Sequence, residues 1–462
     1  MRPVSLERAA EAMGGALHEV PAERAQTPVS GAAVDSRQVR EGQLFFALKG
    51  RVDGADFAPE AMLRGAVAVV CERPLSVPTV VVEDVQAALG ELARWTLSRE
   101  GAPTVVGITG SVGKTTVKDA LAAILRSAGR RVGATEGNFN NEIGLPLTVL
   151  GADEKAEVLV LEMGATHPGD IAHLSRIAPP DVGVLTAVSP VHLDSFGSLE
   201  ALAATKGELA MSLPEGPASV LVCPVDAPAA STGTGRGIGR RITFGRTPEA
   251  DLYASEVAEQ QSGLSFTLHT RDEGREIEVK APVFGTHLVE PLLAAIGGGL
   301  ALGVGPEECA SGLTRLRRTG LRGEVYRLRE DIIVYDDSYN ASPAAVAAVL
   351  RYGAEGARRQ QRRLIAVLGG MFELGAAARE YHREAGRLAA EVGVEKLVCV
   401  GDEARWYAEA FPGESLQYES AEAAAEGLES VLEEGDYVVV KGSRGVGLDR
   451  LTRKLKERLA LV

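Results

Sequence analysis

The chain has 462 residues, more than one hydrophobic core usually organises, so two to four domains are expected. Hydrophobic residues make up 45% and charged residues 24%, as in an ordinary soluble enzyme. A net charge of −14, from 49 basic and 63 acidic residues, argues against a protein built to grip nucleic acid, although local cations and Mg²⁺ can still hold small anions.

The N-terminus, from Met1 to Arg8, has no apolar signal core, and no uninterrupted apolar stretch reaches the length of a membrane span. Cys71, Cys223, Cys309 and Cys399 lie scattered in or beside apolar runs, without metal-ligand spacing, and read as buried reduced thiols. A cytoplasmic protein is expected. Residues 1–101 read as a small α/β domain, with short strands at 31–34, 44–47, 67–71 and 79–82 and helices at 57–64 and 85–99. Gly101-Ala-Pro103 reads as a linker.

A strand at 104–108 then runs into Gly107-Ile-Thr-Gly110-Ser111-Val112-Gly113-Lys114-Thr115-Thr116, and a helical apolar pattern follows from Val117. Strand, glycine turn, Lys-Thr and helix form a phosphate cradle. Glycines let the backbone curl round phosphate oxygens with N–H groups inward, and the helix N-terminus adds its positive end. Lys114 is placed to reach the β/γ-phosphates and the Thr115 hydroxyl to hold Mg²⁺. The spacing is tighter than usual, because the first glycine of the common pattern would fall where Ile108 stands. The expected ligand is ATP.

Within 102–314, further apolar strands at 158–161, 182–187 and 219–222 alternate with helices, the signature of a mostly parallel sheet covered on both faces. Ser231 to Gly239 reads as a glycine-rich connection, and alternating strands such as 264–269 and 276–279 suggest a small antiparallel addition. Helices are expected at 288–302 and 306–313. Residues 315–462 form a third, doubly wound α/β unit, with strands at 332–335, 364–368, 396–400 and 437–440.

Several motifs in one order point to a family. Gly110 to Thr116, Gly137-Asn-Phe-Asn-Asn-Glu-Ile-Gly-Leu-Pro146, Leu161-Glu-Met-Gly-Ala165, His192-Leu-Asp-Ser-Phe-Gly197, Ala204-Thr-Lys-Gly-Glu208, Asp336-Asp-Ser-Tyr-Asn-Ala-Ser-Pro343 and Val440-Lys-Gly-Ser-Arg-Gly445 resemble segments of the ATP-dependent Mur ligases of peptidoglycan synthesis. The resemblance covers essentially the whole chain. Val34-Asp-Ser-Arg37 and Asp53-Gly-Ala-Asp-Phe57 resemble the N-terminal, UDP-sugar-binding domain shared by the tripeptide-adding and dipeptide-adding members, Tyr339-Asn-Ala-Ser-Pro343 resembles the dipeptide-adding one, and no Asp-Asn-Pro-Arg stretch of the diaminopimelate-adding sibling is present.

The resemblance implies an α/β fold of three domains, the central one built around the phosphate loop. It implies a ligase that joins D-alanyl-D-alanine to UDP-N-acetylmuramoyl-tripeptide through an acyl phosphate, using ATP and two Mg²⁺ ions, with monomer as the expected state. By the same resemblance, Glu162 and His192 hold metal beside Thr115, and Lys206 becomes a carbamate, an anionic oxygen group for the second ion. Asn141, Arg322, Asp337 and Asn340 would face ATP. Ser36, Arg37, Asn138, Asn140, Lys441, Ser443 and Arg444 would face the substrates.

Three departures stand out. The family's His-Asn-x-x-Asn is His287-Leu-Val-Glu-Pro291, without either amide that would read adenine; its Gly-Asp-Met is Gly369-Gly370-Met371; and its Tyr-Asn-Ala-Asn-Pro is Tyr339-Asn-Ala-Ser-Pro343. None removes a phosphate or metal group. A sibling that adds one amino acid remains the nearest alternative. A phosphotransferase would use the same loop but needs neither Lys206 nor the third block, and a non-catalytic nucleotide-gated protein would tolerate loss of Glu162 and His192.

Overall fold

A computed structural model describes residues 1–189, 193–233, 237–260, 262–272, 274–316 and 323–459. Three main sheets follow one another along the chain. The first has five strands, in the order Ala16–His18, Thr79–Val81, Ala68–Cys71, Gln43–Phe46, Gly31–Ala33, and only its Ala16–His18 edge pairs antiparallel. The short elements before Gly31, including the helix Leu6–Ala12, were not expected from sequence. They are too brief to show a period.

The central sheet has nine strands. From one edge they run Val132–Ala134, Val158–Glu162, Thr104–Thr109, Val182–Leu185, Gly216–Pro224, Ile238–Gly245 and Leu252–Gln260, all parallel, then Gly263–Thr270 and Arg275–Ala281, antiparallel. The antiparallel addition is therefore the far edge of the main sheet. The expected glycine-rich connection ends earlier than the spacing suggests, because Ile238 and Gly239 already belong to a strand; residues 234–236 of it lie outside the described residues. The third sheet runs Glu324–Arg327, Ile333–Asp336, Tyr437–Lys441, Leu364–Gly369, Lys396–Val400, Glu414–Tyr418, and only its first strand is antiparallel.

Burial explains the strand patterns. Val158–Glu162 and Tyr437–Lys441 are buried along their whole length, which is why they read as continuous apolar runs ending in a charged residue. Cys71, Cys223, Cys309 and Cys399 are all buried thiols. One apolar cluster joins the first sheet to the central one: Leu89, Leu92 and Ala93 of the helix Val85–Leu97 pack in the same core as Leu145, Val149, Ile171 and Leu174. The first two sheets thus share a hydrophobic core, something a division by sequence pattern does not reveal.

Helix Leu199–Ser212 lies close against the backbone at 229–231. A Cβ on Gly207 would sit 2.1 Å from the Ala230 carbonyl oxygen. Replacing Gly207 with Ala is expected to cost about 1–3 kcal/mol through forced displacement of this helix, read as a lower midpoint in thermal unfolding.

Candidate functional site

The phosphate loop is shaped by its neighbours. Gly110 has φ 146° and Gly113 φ 85°, and a Cβ on Gly110 would fall 2.1 Å from Thr186 Oγ1, so only glycine fits there. The next parallel strand holds the loop through its extension: Ser111 N–H donates to the Ala187 carbonyl (2.8 Å), Ser111 Oγ to the Ser189 carbonyl (2.7 Å), and Thr186 Oγ1 to the Val112 carbonyl (2.5 Å). Lys114 opens the helix Lys114–Ser127, and its ammonium folds back onto the Gly110 and Ser111 carbonyls at 2.7 and 3.2 Å. The cation stands at the mouth of a ring of N–H groups, where an anion would draw it outward.

Beside this loop, a residue of the helix Lys114–Ser127 meets the last residue of the strand Val158–Glu162. Thr115 Oγ1 donates to Glu162 Oε2 at 2.8 Å, and both are buried. Glu162 is the last residue of its strand, at the carboxyl end of the sheet, where open α/β sheets bind ligands. The Asn140 amide donates to the other carboxylate oxygen at 2.8 Å and fixes its orientation. A hydroxyl and a restrained carboxylate next to a phosphate loop are hard oxygen donors and fit Mg²⁺.

Lys206 is 2% exposed on the helix Leu199–Ser212. Burial, with the Lys114 cation adding to it, lowers its pKa from 10.5 to about 7, against the opposing pull of Asp170 and Glu208. Among the described residues its Nζ has no hydrogen-bond acceptor and lies 5.7 Å from the centre of the Phe196 ring. Glu208 is occupied elsewhere, accepting from the N–H groups of Gly169 (2.7 Å) and Ala172 (2.9 Å). A lysine poised to be neutral therefore faces the phosphate-loop lysine.

The phosphate loop and Glu162 line a cleft of about 870 Å³ between the central and third sheets, whereas Lys206 is not one of its lining residues. Ser111 to Thr116, Asn138, Asn140, Asn141 and Glu162 line it from the central side, and Asp337, Asn340, Lys441, Ser443 and Arg444 from the third. Lys441 Nζ pairs with Asp337 Oδ2 at 2.6 Å, so these two neutralise one another across adjacent strand ends. Ser443 Oγ accepts from the Phe372 N–H at 2.9 Å, and the Arg444 guanidinium stands 5.0 Å from the Tyr339 ring centre. Asn141 uses its carbonyl oxygen to accept from Ile143 N–H (3.3 Å) and Gly144 N–H (2.9 Å), capping the next helix. Ser36 and Arg37 do not line this cleft. Ser36 donates to Glu60 (2.7 Å) and Arg37 pairs with Asp35 (2.7 Å) on the first sheet's side. His192 and Arg322 lie outside the described residues.

The segment that departs from the family pattern forms one cleft wall. His287, Leu288, Glu290 and Pro291 line it, with Pro291 Cγ 3.2 Å from where a Gly113 Cβ would stand. Burial first, aided by Lys441 and Arg246 and opposed by Asp337, lowers the His287 pKa to about 4, so this imidazole is neutral at pH 7. Sequence reasoning missed Arg246. It follows the strand Ile238–Gly245 directly and donates to the Thr286 carbonyl, and a basic residue just past a parallel strand's carboxyl end was a usable signal. Asp170 was also missed; it begins a helix and accepts from the N–H groups of Thr166 and His167, both at 2.8 Å.

Three family models match in order: the Mur ligase family catalytic domain over 28–97, the Mur ligase middle domain over 108–299, and the Mur ligase glutamate ligase domain over 321–444. UDP-N-acetylmuramoyl-tripeptide–D-alanyl-D-alanine ligase of Bacillus subtilis (strain 168) is 34% identical, with 94% of each chain covered. The Escherichia coli (strain K12) enzyme of the same name is 32% identical, with 99% of each covered. Among solved structures, MurF from Acinetobacter baumannii matches with a TM-score of 0.87 at 28% identity, over 99% of this chain and 100% of that one. MurF ligase from Thermotoga maritima in complex with ADP matches with a TM-score of 0.80 at 32% identity, over 93% and 97%.

The lowered Lys206 pKa has a consequence for stability. Between about 7 and 10.5 the unfolded chain holds the Lys206 proton and the folded one does not, so this residue makes stability rise with pH across that window; below about 7 both hold it and the cost of burying the charge is fully present. Lys206→Met should flatten that rise, checked by chemical unfolding at a series of pH values.

Proposed function

This chain belongs to the Mur ligase family, and on that premise we propose that it is an ATP-dependent, ADP-forming ligase that adds D-alanyl-D-alanine to UDP-N-acetylmuramoyl-tripeptide in peptidoglycan synthesis. The observation that carries the chemistry is the phosphate loop and the Thr115–Glu162 pair lining one cleft, with buried Lys206 near enough to Lys114 for the two charges to interact. We divide the chain into units 1–101, 102–314 and 315–462, which follows the three sheets.

A carboxylate is a poor acyl donor, so ATP must first convert it to an acyl phosphate; the dipeptide amine then attacks and phosphate leaves. The protein's part is positioning and neutralisation of charge. The loop from Gly110 to Thr116 cradles the phosphates. Lys114, released from its own loop carbonyls, meets the β/γ-phosphate oxygens. Thr115, Glu162 and His192 would hold magnesium, which when bound screens the negative oxygens of the phosphoryl group and the carboxylate. Lys206, as a carbamate, would supply a further anionic oxygen group for a second ion; its burial and lowered pKa favour the neutral amine that captures CO₂.

The third sheet supplies the other wall. Arg444, planar and exposed at the cleft, suits the dipeptide carboxylate, while Lys441 is neutralised by Asp337 until a ligand competes for it. Asp337 and Asn340 face ATP from this side, and Arg322 would reach it from the connection between the units. Asn138 and Asn141 offer amides from the central side, and Ser36 and Arg37, outside the cleft, serve the uridine diphosphate end of a long substrate. The tight junction of Pro291 with the loop gives the base an apolar wall where relatives of the family offer amides. The chain acts as a monomer in the cytoplasm.

Phosphate release from ATP with UDP-muramoyl-tripeptide should require D-alanyl-D-alanine. Product with a single amino acid and none with the dipeptide would identify the sibling activity, and turnover with neither would end the assignment. Lys206→Ala and Lys206→Arg should each lower kcat at least about a hundredfold, because neither side chain can carry a carbamate at neutral pH; an unchanged rate would remove the carbamate from the mechanism.

A further inference from the structure

Away from the cleft, one buried acid joins the central and third units. Glu259 lies near the end of the strand Leu252–Gln260, and its side chain is only 3% exposed. It makes two bonds that lead in opposite directions. Its Oε2 accepts from Arg359 at 2.8 Å, with a second Arg359 N–H on the Glu259 carbonyl at 3.2 Å. Its Oε1 accepts from the Gly285 N–H at 2.5 Å.

Arg359 sits in the last turn of the helix Pro343–Gln360. The other end of that helix is at the cleft, where Ser342, Ala344 and Ala345 line the wall next to Asn340. Seventeen residues at about 1.5 Å each separate Ser342 from Arg359, a rigid rod of about 25 Å. Pinning the far end of a rod fixes the direction of the near one. Gly285, for its part, belongs to the segment that leads into the cleft wall at His287. It has φ 112°, and a Cβ there would lie 2.3 Å from the His287 ring. Its neighbour Phe284 packs against the third unit's core, and the Phe284 carbonyl accepts from Tyr335 Oη at 3.3 Å.

We propose that the Glu259–Arg359 pair is a closure latch: it pins the long helix of the third unit to the central sheet and, through Gly285, sets the cleft wall at 283–291 for ATP. Neither residue lines the cleft, so both are positioning residues. The latch deepens the ligase reading and rests on it for the identity of the nucleotide. Because the latch acts on the equilibrium between open and closed forms, its loss weakens apparent nucleotide affinity by the fraction of closed protein lost and leaves the step in the closed complex unchanged.

Four variants of the full chain test this: Arg359→Ala, Arg359→Lys, Glu259→Gln, and Arg358→Ala, which removes the same charge from an exposed neighbour on the same helix. Arg359→Ala should raise the KM for ATP about fivefold, with kcat within about twofold of wild type, and should enlarge the radius of gyration in small-angle scattering. Glu259→Gln should do the same in smaller measure, Arg359→Lys should restore much of the loss, and Arg358→Ala should match wild type. The latch is wrong if Arg359→Ala behaves as Arg358→Ala does. It is also wrong if Arg359→Ala lowers kcat and the melting temperature together with no rescue by lysine, which is the mark of a merely structural residue. ADP affinity by calorimetry is read without muramoyl substrate or dipeptide. A wild type that binds ADP but forms no dipeptide product would sink the ligase reading while the latch is still judged on ADP.

Discussion

The chemistry depends on a contact between the helix that follows one strand and the tip of the neighbouring parallel strand: the Thr115 hydroxyl on the Glu162 carboxylate. Parallel pairing of Thr104–Thr109 with Val158–Glu162 sets the carboxyl ends of the two strands side by side, Ile108 opposite Glu162. The glycine turn that follows the first strand then returns Thr115 to the tip of the second. A carboxylate buried here is costly unless it is hydrogen-bonded. The Thr115 hydroxyl and the Asn140 amide supply that satisfaction at one oxygen each, and they hold the group where a phosphate-bound cation belongs.

Charge is managed throughout the cleft by pairing and by burial. Lys441 and Asp337 cancel, and Lys114 rests on carbonyl oxygens of its own loop. Lys206 differs from both. Buried, and near another cation, it has a pKa lowered to about 7. Two lysines of the cleft and a third near Lys114 thus have three electrostatic settings: a paired cation, a cation waiting for phosphate, and an amine that is easily made neutral. A lysine of ordinary pKa at position 206 would repel the same phosphate-loop cation without gaining any nucleophilic form.

The central and third units meet at more than the cleft. The Glu259–Arg359 pair, the Tyr335 hydroxyl on the Phe284 carbonyl, and the close approach of Asp194 to Gly375 all cross between them. On the other side, the first unit is joined through shared apolar packing, with Leu89 and Leu92 set among Ile171 and Leu174. The first of these junctions combines polar contacts with the packing of Phe284 against the third unit's core; the other buries a shared apolar cluster that opening would expose.

Sequence alone determined the elements whose period or ending is local. The phosphate loop, the strands expected at 158–161 and 437–440, and so the placement of Glu162 at a strand end were all legible, because apolar runs and glycines act over a few residues. The brief strands before Gly31 and the sheet's continuation through Ile238–Gly245 were not, since a strand of two or three residues, or one beginning in glycines, is stabilised by its neighbours rather than by its own pattern. Only the tertiary structure decided that Lys206 is buried, that Asn141 spends its oxygen on a helix cap, that Lys441 is already paired, and that Arg246 reaches the cleft. Each of these depends on what a side chain meets from a distant part of the chain, and desolvation and pairing, which set its charge, have no local signature in sequence.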